Sequence, residues 1–209
     1  MKYKWLNKKN NNKIIIFFNG WGMDEVIVSN LECGEFDVVI LYDYNNLDID
    51  LDIHEYKEKH IIAWSMGVMI GTLFEFKNVK TKTALCGTPK PIDNDYGIPD
   101  RIYNLTIKRF SEKSVSKFME RMFISKPNMM SFSNRDLENM KTELIKMLSY
   151  KSNENYQYTK AIIPDKDLII PTKNQKNYWE KTDTNIVEIK SGHSPFENYK
   201  CWSDIIVGI

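Results

Sequence analysis

Cysteine and histidine are scarce in this chain of 209 residues, which contains three of each. The cysteines, Cys33, Cys86 and Cys201, are odd in number and widely spaced, and no CxxC pair suggests a zinc site or a redox dithiol. We therefore expect three buried free thiols, no metal centre and no cofactor.

Long apolar runs are also lacking. The longest near the amino terminus covers residues 14–18, whereas a membrane-spanning helix needs roughly 20 apolar residues. The terminus itself, MKYKWLNKKNNNK, is basic and polar, and no apolar core of signal-peptide length follows it. These features predict a cytoplasmic location, and we expect neither a membrane nor a nucleic acid as a partner.

Short β-branched and aromatic segments alternate with helical patterns along most of the chain. This alternation predicts an α/β fold, with a mainly parallel sheet whose strands are apolar throughout because helices cover both faces. The expected strands are residues 13–19, 36–42, 60–64, 83–85, 159–163 and 186–189, and the clearest expected helices are residues 66–76 and 173–180.

The pattern changes between residues 101 and 150, where two amphipathic helices and no convincing strand are expected. Apolar residues recur at helical spacing from Val115 to Phe123 and from Leu137 to Leu148, with Ser133 as the expected N-cap of the second helix. We interpret 101–150 as a helical lid inserted into a core formed by residues 1–100 and 151–209. An ordinary covering layer is the alternative.

Ser65 lies between an apolar strand and an apolar helix in the segment IIAWSMG. A nucleophilic serine on such a sharp turn requires small residues two positions before and after it, and Ala63 and Gly67 meet that requirement. The common motif has glycine where Ala63 stands. The alternative is a structural serine that caps the following helix.

A serine nucleophile needs an imidazole base and a carboxylate that orients the imidazole. His193 suits the base, because it follows the last expected strand, whereas His54 and His60 are expected on the surface or at a strand end. In the α/β-hydrolase fold the acid lies between the serine and the histidine. Asp167 is our preferred acid and Asp165 the alternative.

An oxyanion hole would complete such a site, since backbone N–H groups must stabilise the negative charge of the tetrahedral intermediate. One expected donor is the amide of Met66, directly after the nucleophile, and the other is the amide of Trp21, in the loop after the first long strand. Glycines on both sides of Trp21 would free this backbone to turn inward. A simple tight turn is the alternative.

The sequence resembles the pimeloyl-[acyl-carrier protein] methyl ester esterases of biotin synthesis, of the BioG type, which have the α/β-hydrolase fold. The resemblance extends over nearly the whole chain, but residues 101–150 contain the fewest recognisable motifs. It rests on residues 17–24 (FFNGWGMD), 41–44 (LYDY), 63–68 (AWSMGV), 86–88 (CGT), 96–99 (YGIP), 178–179 (YW) and 192–196 (GHSPF), together with Asp167.

The resemblance implies hydrolysis of the methyl ester at the far end of a pimeloyl chain that stays attached to acyl carrier protein. Carrier proteins are acidic, and residues 101–126 contain seven basic side chains against two acidic ones. As an extension of the resemblance, Arg101, Arg109 and Arg121 would contact the carrier. The alternatives are a carboxylesterase, thioesterase or acyltransferase of another substrate, and an inactive hydrolase-like binding module.

Overall fold

A mostly parallel sheet of seven strands forms the centre of the protein in a computed structural model, which describes residues 1–125 and 132–208. The strand order is β1-β3-β2-β4-β5-β6-β7, with β1 antiparallel to β3 and all other neighbours parallel. The strands are β1 Lys2–Asn7, β2 Lys13–Phe18, β3 Asp37–Tyr42, β4 Glu58–Trp64, β5 Val79–Leu85, β6 Lys160–Pro164 and β7 Asn185–Ile189.

Helices occupy most of the connections between the parallel strands. Helix α1 packs against β2 and β4, α5 against β6, and α6 against β5. The helices are α1 Gly67–Gly71, α2 Asp100–Lys108, α3 Glu112–Arg121, α4 Leu137–Met147, α5 Thr172–Trp179 and α6 Trp202–Val207, with 3-10 turns at Glu25–Val28 and Phe196–Asn198. Among the described residues, no helix is both long and apolar enough to cross a membrane.

The central strands are buried along almost their full length. In β2, every residue from Ile14 to Phe18 is completely inaccessible, and β4 is buried from Lys59 to Trp64. The absence of alternation between polar and apolar residues reflects this burial, because strands in the middle of a covered parallel sheet meet no solvent on either side. The prediction of a mainly parallel sheet is confirmed.

Strand β1 was not expected from the sequence. It runs antiparallel at the edge of the sheet, and its first three residues are exposed. A half-exposed edge strand needs no apolar run, so in the sequence the segment KYKWLN is not distinguished from the polar residues 8–12 that follow it. Helix α1 also differs from the expectation, since it spans only Gly67–Gly71 within the predicted 66–76.

Three helices, not two, lie between β5 and β6 in the described part of residues 101–150. The unexpected one is α2, and the predicted N-cap of α4 is wrong: the side chain of Asp136, not that of Ser133, accepts the N–H of Asn139. The apolar faces are largely as expected, but Leu137 is 36% exposed and Leu148 is 49% exposed. Here α2, α3, α4 and the described residues between them are called the helical cap.

The three cysteines are free thiols, but only Cys86 is fully buried, while Cys33 and Cys201 are half-buried. The expectation of three buried thiols is therefore wrong for two of them. Burial raises the pKa of the Cys86 thiol well above its ordinary value, which keeps this side chain neutral.

Candidate active site

Ser65 directly follows β4 and adopts a left-handed backbone conformation with φ of +57°. This conformation is costly for a residue with a side chain, and such strain concentrates at functional sites. The turn also brings helix α1 close to β2, because a Cβ atom added to Gly67 would lie 2.3 Å from the carbonyl oxygen of Phe18. Only glycine fits at position 67, in agreement with the predicted need for a small residue two positions after Ser65.

His193 lies in the loop after β7, and its ring is almost completely buried. Its Nε2 atom is 2.8 Å from Ser65 Oγ. The indole nitrogen of Trp64 donates a hydrogen bond of 2.8 Å to the His193 carbonyl oxygen, and the two rings pack 5.5 Å apart. The residue next to the serine therefore also fixes the histidine loop.

Asp167 follows β6 and contacts the other ring nitrogen of His193, with Oδ2 2.8 Å from Nδ1. Its Oδ1 accepts the N–H groups of Ile169 at 2.8 Å and Ile170 at 2.9 Å. Since a carboxylate only accepts, this contact assigns the ring proton to Nδ1 and leaves Nε2 free to accept from the Ser65 hydroxyl. The arrangement can move a proton away from the serine oxygen.

The structure distinguishes the two candidate acids. Asp165 is exposed, and its carboxylate accepts the N–H of Ser191 at 3.0 Å. This bond helps to hold the loop that contains His193, but it leaves Asp165 away from the imidazole. Asp167, not Asp165, is thus the carboxylate that the fold brings to His193.

Trp21 and Met66, the expected oxyanion-hole residues, line the same cavity of about 70 Å³ as Ser65. Within the described residues, neither backbone N–H donates to another protein group. In this part of the chain both amides thus lack a protein acceptor, as an oxyanion donor must. The cavity wall is otherwise largely apolar, and includes Ile98, Ile102, Phe118, Leu144 and Leu168.

The three arginines expected to contact a carrier protein are exposed on the helical cap. Arg121, at the end of α3, lines the cavity that contains Ser65, whereas Arg101 in α2 and Arg109 just after it do not. Lys126, which belongs to the same basic cluster in the sequence, lies outside the described residues.

The other two histidines lie apart from the cavity. His54 is exposed, and His60 is buried with its ring nitrogens 2.8 Å from Thr81 Oγ1 and from Glu58 Oε1. In the described part of the chain, no group of three or more histidine, cysteine or acidic side chains could hold a metal ion.

Sequence reasoning missed two buried polar residues that support the site. Gln175 in α5 donates from Nε2 to Asp167 Oδ2 at 2.8 Å. Glu143 in α4 accepts the N–H of Gly22, the residue after Trp21, at 3.1 Å. Only Glu143 had a sequence signal, because it lies three residues after Met140 and interrupts the apolar stripe of an amphipathic helix.

Three comparisons with known proteins identify the family and the fold of the chain. A sequence model of the family described as "Pimeloyl-ACP methyl esterase BioG" matches residues 1–205. A malonyl-[acyl-carrier protein] O-methyltransferase of Bacteroides fragilis (strain 638R) is 35% identical over 191 residues, which cover 86% of this chain. Those residues cover 39% of the Bacteroides protein, so the chain spans well under half of that relative's length.

Solved structures have the same architecture. BioG from Haemophilus influenzae has a TM-score of 0.91 at 28% sequence identity, with 98% of this chain and 99% of that chain covered. MGS-M2, an α/β-hydrolase enzyme from a Medee basin deep-sea metagenome library, has a TM-score of 0.66 at 15% identity, with 99% and 92% covered. The predicted α/β-hydrolase fold is confirmed.

Proposed function

Since the chain belongs to the BioG family of pimeloyl-ACP methyl esterases, we propose that it hydrolyses the methyl ester of pimeloyl-acyl carrier protein with Ser65, His193 and Asp167 as its catalytic triad. Family membership places the chain among the carboxylic ester hydrolases. The observation that carries the proposed triad is the continuous relay from Ser65 Oγ through His193 to Asp167, with both contacts 2.8 Å long.

The proposed reaction has two steps. His193 Nε2 takes the proton of Ser65 as Oγ attacks the ester carbonyl, and then gives that proton to the departing methoxide, which leaves as methanol. Water, deprotonated by the same nitrogen, attacks the acyl-serine ester, and the proton returns to Ser65 as the free carboxylic acid forms. Asp167 holds the imidazole in the required tautomer and stabilises its charged form.

Each step passes through a tetrahedral intermediate with a negative oxygen. The N–H groups of Trp21 and Met66 are the proposed donors to this oxygen, since both residues line the cavity beside Ser65 and neither amide donates to protein within the described residues. Such preorganised donors lower the barrier by about 3 kcal/mol each in comparable enzymes.

The helical cap is the proposed lid and acyl-binding element, in residues 101–150 against a core of 1–100 and 151–209. Phe118 and Leu144 of the cap line the cavity, which suits an apolar acyl chain. Arg101, Arg109 and Arg121 are the proposed contacts for the acidic carrier protein. An acyl-carrier-protein substrate also appears in the name of the Bacteroides relative.

The decisive experiment compares three substrates at equal concentration: pimelate bound to the carrier by its thioester and methylated at the far end, free dimethyl pimelate, and the carrier thioester of pimelate without the methyl group. We expect methanol release to be fastest from the carrier-bound methyl ester, with the thioester left intact. Preferential cleavage of the thioester would contradict the esterase assignment.

A Ser65→Ala variant and a fluorophosphonate probe test the triad. The variant should lose at least about a thousandfold in rate and should not be labelled, whereas the unaltered protein should be labelled. A native protein that resists the probe would instead be a hydrolase-like binding module.

A further inference from the structure

The loop that contains Trp21 is anchored on the helical cap. The indole nitrogen of Trp21 donates to the Met140 carbonyl oxygen at 2.8 Å, and the side chain of Asp24 accepts the N–H of Asn134 at 2.6 Å. Helix α4 and the residues before it therefore fix both ends of the loop.

Glu143 is the central anchor between this loop and the cap. Its side chain is completely buried, and Oε2 accepts both the N–H of Gly22 at 3.1 Å and Arg135 Nη1 at 2.7 Å. Oε1 accepts the N–H of Tyr44 at 2.7 Å. One carboxylate thus joins α4 to the backbone beyond β2 and to the backbone beyond β3.

Stability alone does not account for a charge in this position. Burial raises the pKa of Glu143, although Arg135 and the two backbone amides act in the opposite direction. Replacing a buried ion pair with apolar side chains of similar volume is often neutral or stabilising. A carboxylate differs from an apolar side chain in that it accepts several N–H groups at once and so dictates where the backbone lies.

The backbone at Gly22 depends on such an anchor. Gly22 has φ of +73°, and its N–H points to Glu143, so the Trp21–Gly22 peptide group has one orientation. The indole contact with Met140 fixes the side chain of the same tryptophan. The N–H of Trp21 belongs to the preceding peptide group, whose Gly20 carbonyl oxygen accepts the N–H of Met23 at 3.3 Å and closes the same turn. Glu143 and Met140 thus hold on α4 the turn that carries the Trp21 amide beside the cavity.

We propose that Glu143 is a positioning residue that sets the orientation of the Trp21 amide and thereby couples the helical cap to transition-state stabilisation. The inference rests on the proposed function, in which the Trp21 amide binds the oxyanion. Glu143 touches no substrate in this arrangement, and it acts only through Gly22 and Trp21.

The test uses Glu143→Gln in the full chain, with p-nitrophenyl butyrate as substrate and phenylboronic acid as an analogue of the tetrahedral intermediate. The amide of glutamine keeps the shape but turns an NH₂ group toward one of the two backbone donors. We expect kcat per folded molecule to fall about tenfold, because small displacements of an oxyanion donor are costly. KM should change less than twofold, and the inhibition constant of phenylboronic acid should rise in parallel with the loss of kcat.

Asp43→Asn is the matched control. Asp43 Oδ1 lies 3.3 Å from Arg135 Nη2. The other side chains that contact the Asp43 carboxylate in the described part of the chain, those of Lys2, Asn45 and Asn139, lie outside the loop with Trp21. This variant weakens the same ionic cluster and should keep kcat within about twofold. Equal losses of kcat in both variants, or an unchanged kcat in folded Glu143→Gln, would overturn the proposal.

Two further variants separate the possible failures. Glu143→Asp keeps the charge beside Arg135 and replaces the glutamine variant in the test if that variant does not fold. Because its shorter side chain does not reach the Gly22 N–H in the same way, kcat should still fall at constant KM. An unchanged kcat in this variant also overturns the proposal. Ser65→Ala reports on the proposed function by itself, since an active alanine variant would contradict the triad whatever Glu143 does.

Discussion

Gln175 offers a sharp test of how Asp167 is held. Its Nε2 atom donates to Asp167 Oδ2 and to the Ile170 carbonyl oxygen, both at 2.8 Å. Because both neighbours accept, the side-chain amide cannot be turned around. Its Oε1 is buried without a hydrogen-bond partner among the described residues. The perturbation is Gln175→Met, which keeps the length of the side chain and removes both polar atoms.

The expected loss of stability is small. A hydrogen bond to a charged group contributes about 2 kcal/mol and one to a neutral carbonyl about 1 kcal/mol, whereas an unpaired buried acceptor costs about 2 kcal/mol. The first two contributions are lost and the third is relieved, so the free energy of unfolding should fall by about 1 kcal/mol. The effect on catalysis should be larger than this loss of stability suggests. Asp167 loses one of the four hydrogen-bond donors that the described residues supply to its carboxylate, and with it part of its orientation.

We expect kcat for p-nitrophenyl butyrate to fall about tenfold, equivalent to about 1.4 kcal/mol of barrier, with KM unchanged. Urea unfolding gives the stability of the same samples. Asn7→Leu is the control, since it removes a side-chain amide that donates to the Phe36 carbonyl oxygen at 2.7 Å, at the other end of the strands. Full activity in Gln175→Met would refute the reasoning, and would show that the amides of Ile169 and Ile170 suffice to orient Asp167.

Two further outcomes are expected. Gly67→Ala should lower the free energy of unfolding by at least about 3 kcal/mol and should also lower activity, because its Cβ atom would collide with the Phe18 backbone. Thermal melting followed by circular dichroism and esterase assays check both effects, and a variant with unchanged stability would contradict the prediction. For Asp43, burial alone would raise the pKa, but the hydrogen bond from Lys2 and the charge of Arg135 hold that pKa below its ordinary value. The ionised carboxylate then stabilises the fold above pH about 4, and this contribution is lost as the pH falls through the lowered pKa. Asp43→Asn should therefore lower the free energy of unfolding, measured by urea titration, by about 1 kcal/mol at pH 7 and by less at pH 3. A difference in unfolding free energy between the variant and the unaltered protein that stays constant with pH would contradict this assignment.

Local features of the chain were sufficient to predict the core of the fold. The apolar strand before Ser65, the small residues Ala63 and Gly67, and the alternation of strands and helices each depend on neighbours within a few positions. Their physical causes are local: burial on both sides of a strand, and the close approach of a helix to a sheet. The same reasoning fails for β1, where an exposed edge requires no apolar pattern.

Tertiary structure alone decided the contacts between distant residues. Asp165 and Asp167 are two positions apart, and only the path of the loop after β6 determines that Asp167 meets His193 while Asp165 binds Ser191. Gln175 gave no signal in the sequence, because the sequence alone does not distinguish a buried glutamine side chain from an exposed one. The sequence by itself determined the turn at Ser65 and the sheet, since short-range sterics and hydrophobic burial specify both. The carboxylates and amides that orient the site depended on long-range packing, which sets the partner of each buried polar group.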